Sequence, residues 1–316
     1  MTKYPVHPDL QKFGSVAFPM QKNALPIANA LSKLGVRAFR FPRGIEAKQI
    51  DIPNGAESVG ALFLTPEGAG KNAPCLVYFH GGGFALGLSP LHLKLACEYA
   101  RKTPCKLLLA NYRLAPKHPF PAGAEDCYAV FQWAAEHAPS LGIDPERIAL
   151  GGDSAGGALA MAASLMARNR GGKAARFLLL IYPVADARQE TASMKAFPDT
   201  PFWNAKATKQ MWELYFSGGC PEKREYASPL EAESFAGLPD AYVETAEFDC
   251  LRDEGAALAS ALAAGGSRVE YRLVKGATHG YELAYESELT RESVEQRVCA
   301  LQQAFFPEEA QTYPDR

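Results

Sequence analysis

Short runs in which nearly every residue is apolar recur along the chain, at residues 75–79, 105–113, 147–150, 177–182 and 241–246. Runs of this length and composition predict strands covered on both faces. Between and after them, residues 90–102, 124–137, 155–168, 254–264 and 286–306 carry apolar side chains at helical spacing. A further strand is expected at 268–274. Strands alternating with helices predict a mostly parallel sheet of about eight strands with helices on both faces. Ahead of this series, runs 46–52 and 58–64 flank Pro53-Asn54-Gly55-Ala56. Asn-Gly between two strand-like runs predicts a hairpin, so the sheet should start antiparallel.

Two stretches break the alternation. Residues 1–42 are irregular, with Pro5, Pro8, Pro19 and Pro26, and the helical spacing within them runs from 21 to 34, where Gly35 reads as a stop. Residues 184–236 hold an aromatic, helix-like piece at 203–216 but no sheet strand. That is too long for an ordinary connection and reads as an insertion.

The chemistry centres on Gly152-Asp153-Ser154-Ala155-Gly156, which sits between the strand ending near 150 and the helix from 155. A G-x-S-x-G placed strand–turn–helix is the setting of a nucleophilic serine on a sharp turn, exposed at the positive end of a new helix. Three more features fall at carboxyl ends of predicted strands: Gly81-Gly82-Gly83 after 79, Asp249 after 246 and His279 after 274. In parallel sheets that rim is where ligands bind. Ser154 needs a base, and of the six histidines only His279 lies in a loop downstream of an acid-bearing strand end. Asp249 is the expected acid, holding the imidazole and stabilising its charged form. Asp253 is its rival but falls in the first turn of the next helix, where an acid ordinarily offsets the helix dipole. The amides of Gly82, Gly83 and Ala155 are the expected oxyanion donors, because a loop without Cβ atoms can aim successive N–H groups inward. A dinucleotide-binding reading of the same glycines fails on spacing, and no acid ends the following strand to meet a ribose. Asp153 and His80 are expected to brace the loops rather than react.

Composition narrows the partners. The net charge is −2 with no Lys/Arg block, which speaks against nucleic acid. The amino-terminal residues lack an apolar signal core, and no run of about 18 apolar residues appears, so no membrane anchor and a cytoplasmic location are expected. Cysteines 75, 97, 105, 127, 220, 250 and 299 form no C-x-x-C pair and are expected to be free thiols in a reducing compartment. No metal-ligand spacing is found, and no cofactor is implied.

His80-Gly-Gly-Gly-Phe84, Tyr112-Arg-Leu-Ala-Pro-Lys-His-Pro-Phe-Pro121, Gly152-Asp-Ser-Ala-Gly-Gly157, Glu247-Phe-Asp249 with Leu251-Arg-Asp-Glu254, and His279-Gly280 occur in one order. In this the chain resembles the bacterial hormone-sensitive-lipase-like esterases, a branch of the α/β-hydrolase fold, in which serine, acid and histidine follow in the order Ser154, Asp249, His279. The resemblance implies Ser154, Asp249 and His279 as triad, Gly82, Gly83 and Ala155 as oxyanion hole, and hydrolysis of short-chain carboxylic esters without a cofactor. It also implies a cap made of residues 1–42 and 184–236 over a catalytic domain of residues 43–183 and 237–316. Cys250 departs from the family, which usually has proline there. No amphipathic, membrane-seeking lid is evident from the pattern, which favours short acyl chains. The expected partner is a small ester; a homo-oligomer is compatible with the sequence. Two alternatives keep the same fold: a catalytically inert ligand-binding protein, or an amide or carbamate hydrolase.

Overall fold

The computed structural model describes residues 3–14, 16–219 and 222–307. In chain order the elements are α1 (Pro8–Gln11), α2 (Leu25–Ala38), β1 (Ile45–Asn54), β2 (Glu57–Pro66), β3 (Ala73–Phe79), α3 (Pro90–Lys102), β4 (Lys106–Asn111), α4 (Ala122–Glu136), α5 (Ala138–Leu141), β5 (Ile143–Asp153), α6 (Ala155–Arg170), β6 (Phe177–Ile181), α7 (Ala192–Ala196), α8 (Ala205–Tyr215), β7 (Asp240–Phe248), α9 (Arg252–Ala264), β8 (Val269–Thr278) and α10 (Glu288–Phe305). Short 3-10 turns lie at Arg224–Tyr226, Pro229–Glu231 and Tyr281–Ala284.

One eight-stranded sheet runs in the order β1-β2-β4-β3-β5-β6-β7-β8. β2 is antiparallel to β1 and to β4, and every other neighbour pair is parallel. The hairpin closes tightly, Asn54 facing Glu57 across Gly55-Ala56. β3 and β6 are buried along their whole length, as continuous apolar runs require. α4, α6 and α9 cover one face of the sheet and α3 and α10 the other, each contributing to its own apolar cluster. α6 is buried from Ala155 to Ala167, and its many alanines let it lie close against β5. No helix among the described residues is long and apolar enough to cross a membrane.

Two sequence expectations change. α2 does not stop at Gly35 but continues to Ala38. A Cβ at Gly35 would lie 2.8 Å from Pro90 Cγ. The glycine therefore serves the close approach of α2 to the start of α3 rather than ending the helix. Asp144-Pro145-Glu146, whose composition predicts a turn ahead of the strand that leads to Ser154, are an irregularity inside β5: Ile143 pairs with Ala73, and regular pairing resumes at Ile148 with Cys75.

The two stretches that interrupt the alternation meet each other. Ala17 bridges Phe202, the Phe13 and Phe18 rings pack on Phe202, and Lys3 and Tyr4 reach Asp199. Cys75, Cys97, Cys105, Cys127 and Cys250 are buried, Cys299 is exposed, and all six are unpaired; Cys220 lies outside the described residues.

Candidate active site

β5 ends at Asp153 and α6 begins at Ala155, so a single residue makes the turn. Ser154 has φ 57° and ψ −121°, a backbone state that L-residues with side chains rarely hold. Its surroundings impose it. The Ser154 N–H donates to Ile181 O (2.8 Å), and its carbonyl accepts from the N–H groups of Gly157 and Val184 (both 3.0 Å). A Cβ at Gly152 would sit 2.3 Å from Gly156, and one at Gly156 would sit 1.9 Å from the Phe79 carbonyl oxygen. Only glycine lets strand and helix meet at this angle.

His279 follows β8 directly. Its Nε2 lies 2.9 Å from Ser154 Oγ and its Nδ1 lies 2.8 Å from Asp249 Oδ2. Asp249 follows the end of β7 and is fully buried; its Oδ1 accepts the Leu251 N–H at 3.0 Å. A carboxylate at Nδ1 fixes the proton there and leaves Nε2 free to accept from the serine hydroxyl. Asp253, the rival acid, is engaged elsewhere, with Arg252 Nε (2.8 Å) and the Ser193 N–H (2.7 Å).

Gly82 and Gly83 have φ 114° and 58°. A Cβ at Gly82 would lie 2.5 Å from Leu86 O, and one at Gly83 2.6 Å from the Trp203 ring. Among the described residues, the amides of Gly82, Gly83 and Ala155 have no protein acceptor. Asp153 also borders the cavity and ties the elbow to the glycine loop, accepting from Tyr78 OH (3.0 Å) and the Gly81 N–H (3.1 Å). His80 is buried with Nδ1 2.7 Å from Gly81 O and its ring stacked on Tyr112. Burial lowers its pKa to about 3, so it is neutral and packs as a brace.

Several neighbours of His279 carry no sequence signal. The Tyr182 ring centroid lies 4.5 Å from the imidazole, and its hydroxyl donates to Glu282 Oε2 (2.6 Å). Glu282 also accepts from Arg297 Nη2 (2.5 Å), which reaches Glu244 Oε1 (2.6 Å) as well. Tyr281, Tyr242 and Tyr99 also join this network, and all of it is buried. Burial opposes ionisation of Glu244, but Arg297 outweighs it and holds that carboxyl below its usual range. The Trp203 ring lies 5.8 Å from the imidazole and is fixed by its Nε1–H to Thr208 Oγ1 (2.8 Å). The same threonine lies 3.4 Å from Cys250 Sγ, and Ser193 Oγ donates to the Cys250 carbonyl (2.8 Å). The loop that carries Asp249 is thus tied at Cys250 to residues 193–208.

Ser154 and His279 open into a cavity of about 260 Å³, walled by Gly82, Leu86, Phe18 and Trp203. A family model described as alpha/beta hydrolase fold matches residues 76–283. A carboxylic ester hydrolase of Mycobacterium tuberculosis, LipN, is 37% identical over 243 residues, covering 75% of this chain and 64% of that protein. The aligned part is thus under two thirds of LipN. The carboxylesterase NlhH of the same organism is 36% identical over 72% of each chain. Among solved structures, a bacterial heroin esterase superposes with a TM-score of 0.87 at 33% identity, covering 95% of this chain and 98% of that one.

Proposed function

The chain belongs to the α/β hydrolase family, and from that premise we propose that it is a serine carboxylesterase acting on short-chain esters through Ser154, His279 and Asp249. The hydrogen-bonded series from Ser154 Oγ through His279 to Asp249, beside three amides without a protein acceptor, carries this reading. As the Ser154 oxygen attacks the ester carbonyl, its proton passes to His279 Nε2. Asp249, dry and already hydrogen-bonded, stabilises the imidazolium. The carbonyl oxygen gains negative charge and is received by the N–H groups of Gly82, Gly83 and Ala155. Collapse breaks the ester C–O bond; the alcohol leaves with the proton from Nε2, and an acyl group stays on Ser154. Water then repeats the attack, its proton going to His279, and the carboxylic acid leaves as Ser154 recovers its hydrogen.

A cavity of about 260 Å³ is at the small end for ligand pockets and supports short acyl groups. Residues 1–42 and 184–236 serve in this reading as a cap over the catalytic domain of residues 43–183 and 237–316, because Phe18 and Trp203 come from those two stretches and wall the cavity. Hydrolysis of p-nitrophenyl acetate, with covalent labelling by a fluorophosphonate probe, tests the assignment. Ser154→Ala should lose labelling and cut kcat by on the order of 10⁶. A variant that keeps the parent rate sinks it.

A further inference from the structure

Five large apolar side chains stand exposed among the described residues: Val16, Ile27, Leu31, Leu34 and Tyr271. Four of them fall within residues 16–34, and three lie on one helix, α2, where they are 60–66% exposed. At 100° per residue Ile27, Leu31 and Leu34 share one side, with the exposed Ala30 and Ala38 beside them. The opposite side is the polar one. Asn29 donates to Ala85 O (2.9 Å) and accepts the Gly87 N–H (2.8 Å), while Ser32 Oγ donates to Leu88 O (2.6 Å). Apart from Leu25 and Val36, which pack on the two apolar clusters, α2 turns polar groups toward the protein and large apolar side chains toward water, against the usual order for a surface helix. Several neighbouring large apolar residues exposed together mark an interaction surface.

The charge around that stripe identifies what covers it. Residues 10–45 contain Lys12, Lys22, Lys33, Arg37, Arg40 and Arg43 and no Asp or Glu, in a chain whose net charge is −2. Lys22, Lys33, Arg37, Arg40 and Arg43 are exposed, and none of the six is ion-paired among the described residues. Lys33 and Arg37 run along one edge of the apolar stripe on α2 itself. Pairing this face with a second copy would bring like charges together, with no acid in the segment to receive them. An apolar stripe rimmed by cations is the pattern that settles into the interface of an anionic bilayer.

We propose that the outer face of α2, with Ile27, Leu31, Leu34, Lys33 and Arg37, docks the protein on an anionic phospholipid surface. Ala28, Asn29 and Ser32, on the inner side of the same helix, line the cavity that holds Ser154. Docking therefore sets the cavity about one helix diameter, ~10 Å, from the lipid. Apolar esters held in the bilayer surface then reach Ser154 without crossing bulk water. Only this delivery step rests on the esterase reading; the docking itself does not.

The test is co-sedimentation of the full chain with vesicles of phosphatidylcholine and phosphatidylglycerol at three to one, and with phosphatidylcholine alone. The expected result is binding to the anionic vesicles, weak binding to neutral ones, and release as salt shortens the screening length. Lys33→Gln with Arg37→Gln should weaken binding by on the order of fivefold per cation removed. Leu31→Glu should weaken it further, with the thermal midpoint of both variants unchanged because these side chains make no internal contact that the fold needs. Ser154→Ala should bind as the parent does, so loss of hydrolysis and loss of docking are read separately. Absence of binding to anionic vesicles overturns the proposal, as does equal binding by parent and both variants. A parent dimer in sedimentation velocity that Leu31→Glu converts to monomer overturns it too, since the face would then join two copies.

Discussion

Replacing Asp249 by asparagine probes the catalytic reading at its least forgiving point. The substitution is isosteric, and the local hydrogen bonds dictate how the new amide must lie. Asp249 Oδ1 accepts the Leu251 N–H, so the amide oxygen takes that place. The amide NH2 then faces His279 Nδ1, where Oδ2 now sits at 2.8 Å. Two donors cannot share that gap, so Nδ1 must give up its proton and accept. The proton moves to Nε2, which then points N–H at Ser154 Oγ instead of a lone pair. The base is lost while the geometry stays. A wrong tautomer of this kind in a serine protease of another fold lowers kcat about 10⁴-fold, or ~5.4 kcal/mol in the barrier, and a loss of the same order is expected here. The assay is kcat on p-nitrophenyl acetate near neutral pH, with the thermal midpoint checking that the fold is kept. Asp253→Asn is the companion, and it should stay within about tenfold of the parent, since that carboxylate faces Arg252 and Ser193. If Asp249→Asn retained a rate within tenfold of the parent while Asp253→Asn did not, the acid would be misassigned.

Three further outcomes follow from the same structure. Gly156→Ala would place a methyl 1.9 Å from the Phe79 carbonyl oxygen; neither backbone can yield cheaply, so a loss of about 3 kcal/mol is expected in urea unfolding, and a change below about 0.5 kcal/mol would contradict the close approach. His80 is held neutral by burial, with a folded pKa of about 3 against 6.5 for the free group; the unfolded chain binds the extra proton between those values, so stability falls as pH drops through that window, by up to ~1.4 kcal/mol per unit. Denaturant midpoints that stay flat from pH 6.5 to 5 would show that His80 protonates freely in the fold. Across p-nitrophenyl esters from acetyl to decanoyl, kcat/KM should peak at the short end and fall once the acyl chain outgrows a cavity of about 260 Å³; a maximum at decanoyl would show that the cavity opens wider.

Where the sequence is legible, the reason is local. α3 runs Pro90–Lys102 as its pattern predicts, because Ser89 caps it and Pro90 opens it. The elbow is readable because its two glycines are demanded by atoms within a few residues or one strand away. Gly35 misleads for the converse reason: the contact that calls for it, Pro90, is remote in sequence, and nothing nearby distinguishes it from a helix stop. The apolar outer stripe of α2 escapes notice because a pattern of hydrophobic positions does not say which side faces the protein. Tyr182, Glu282 and Arg297 are invisible for the same reason as Gly35. They come from the end of β6, the turn after β8 and the last helix, and only the folded sheet makes them neighbours. Cys250 is legible as a departure from a motif, but its tie to Thr208 is not.

Arg297 has a bearing on how the molecule is made. It supplies the cation for two interior carboxylates, Glu244 and Glu282, and it sits on α10, near the carboxyl end of the described chain. A growing polypeptide emerging from the ribosome holds both acids before it holds their counterion, and leaving two such charges uncompensated in a dry interior is strongly unfavourable. Until α10 has been made, the ends of β7 and β8 therefore lack the cation that holds these two acids ionised. Synthesis order thereby becomes a safeguard: under the proposed reading, a chain that stops short of α10 lacks the counterion that steadies the residues beside its catalytic centre.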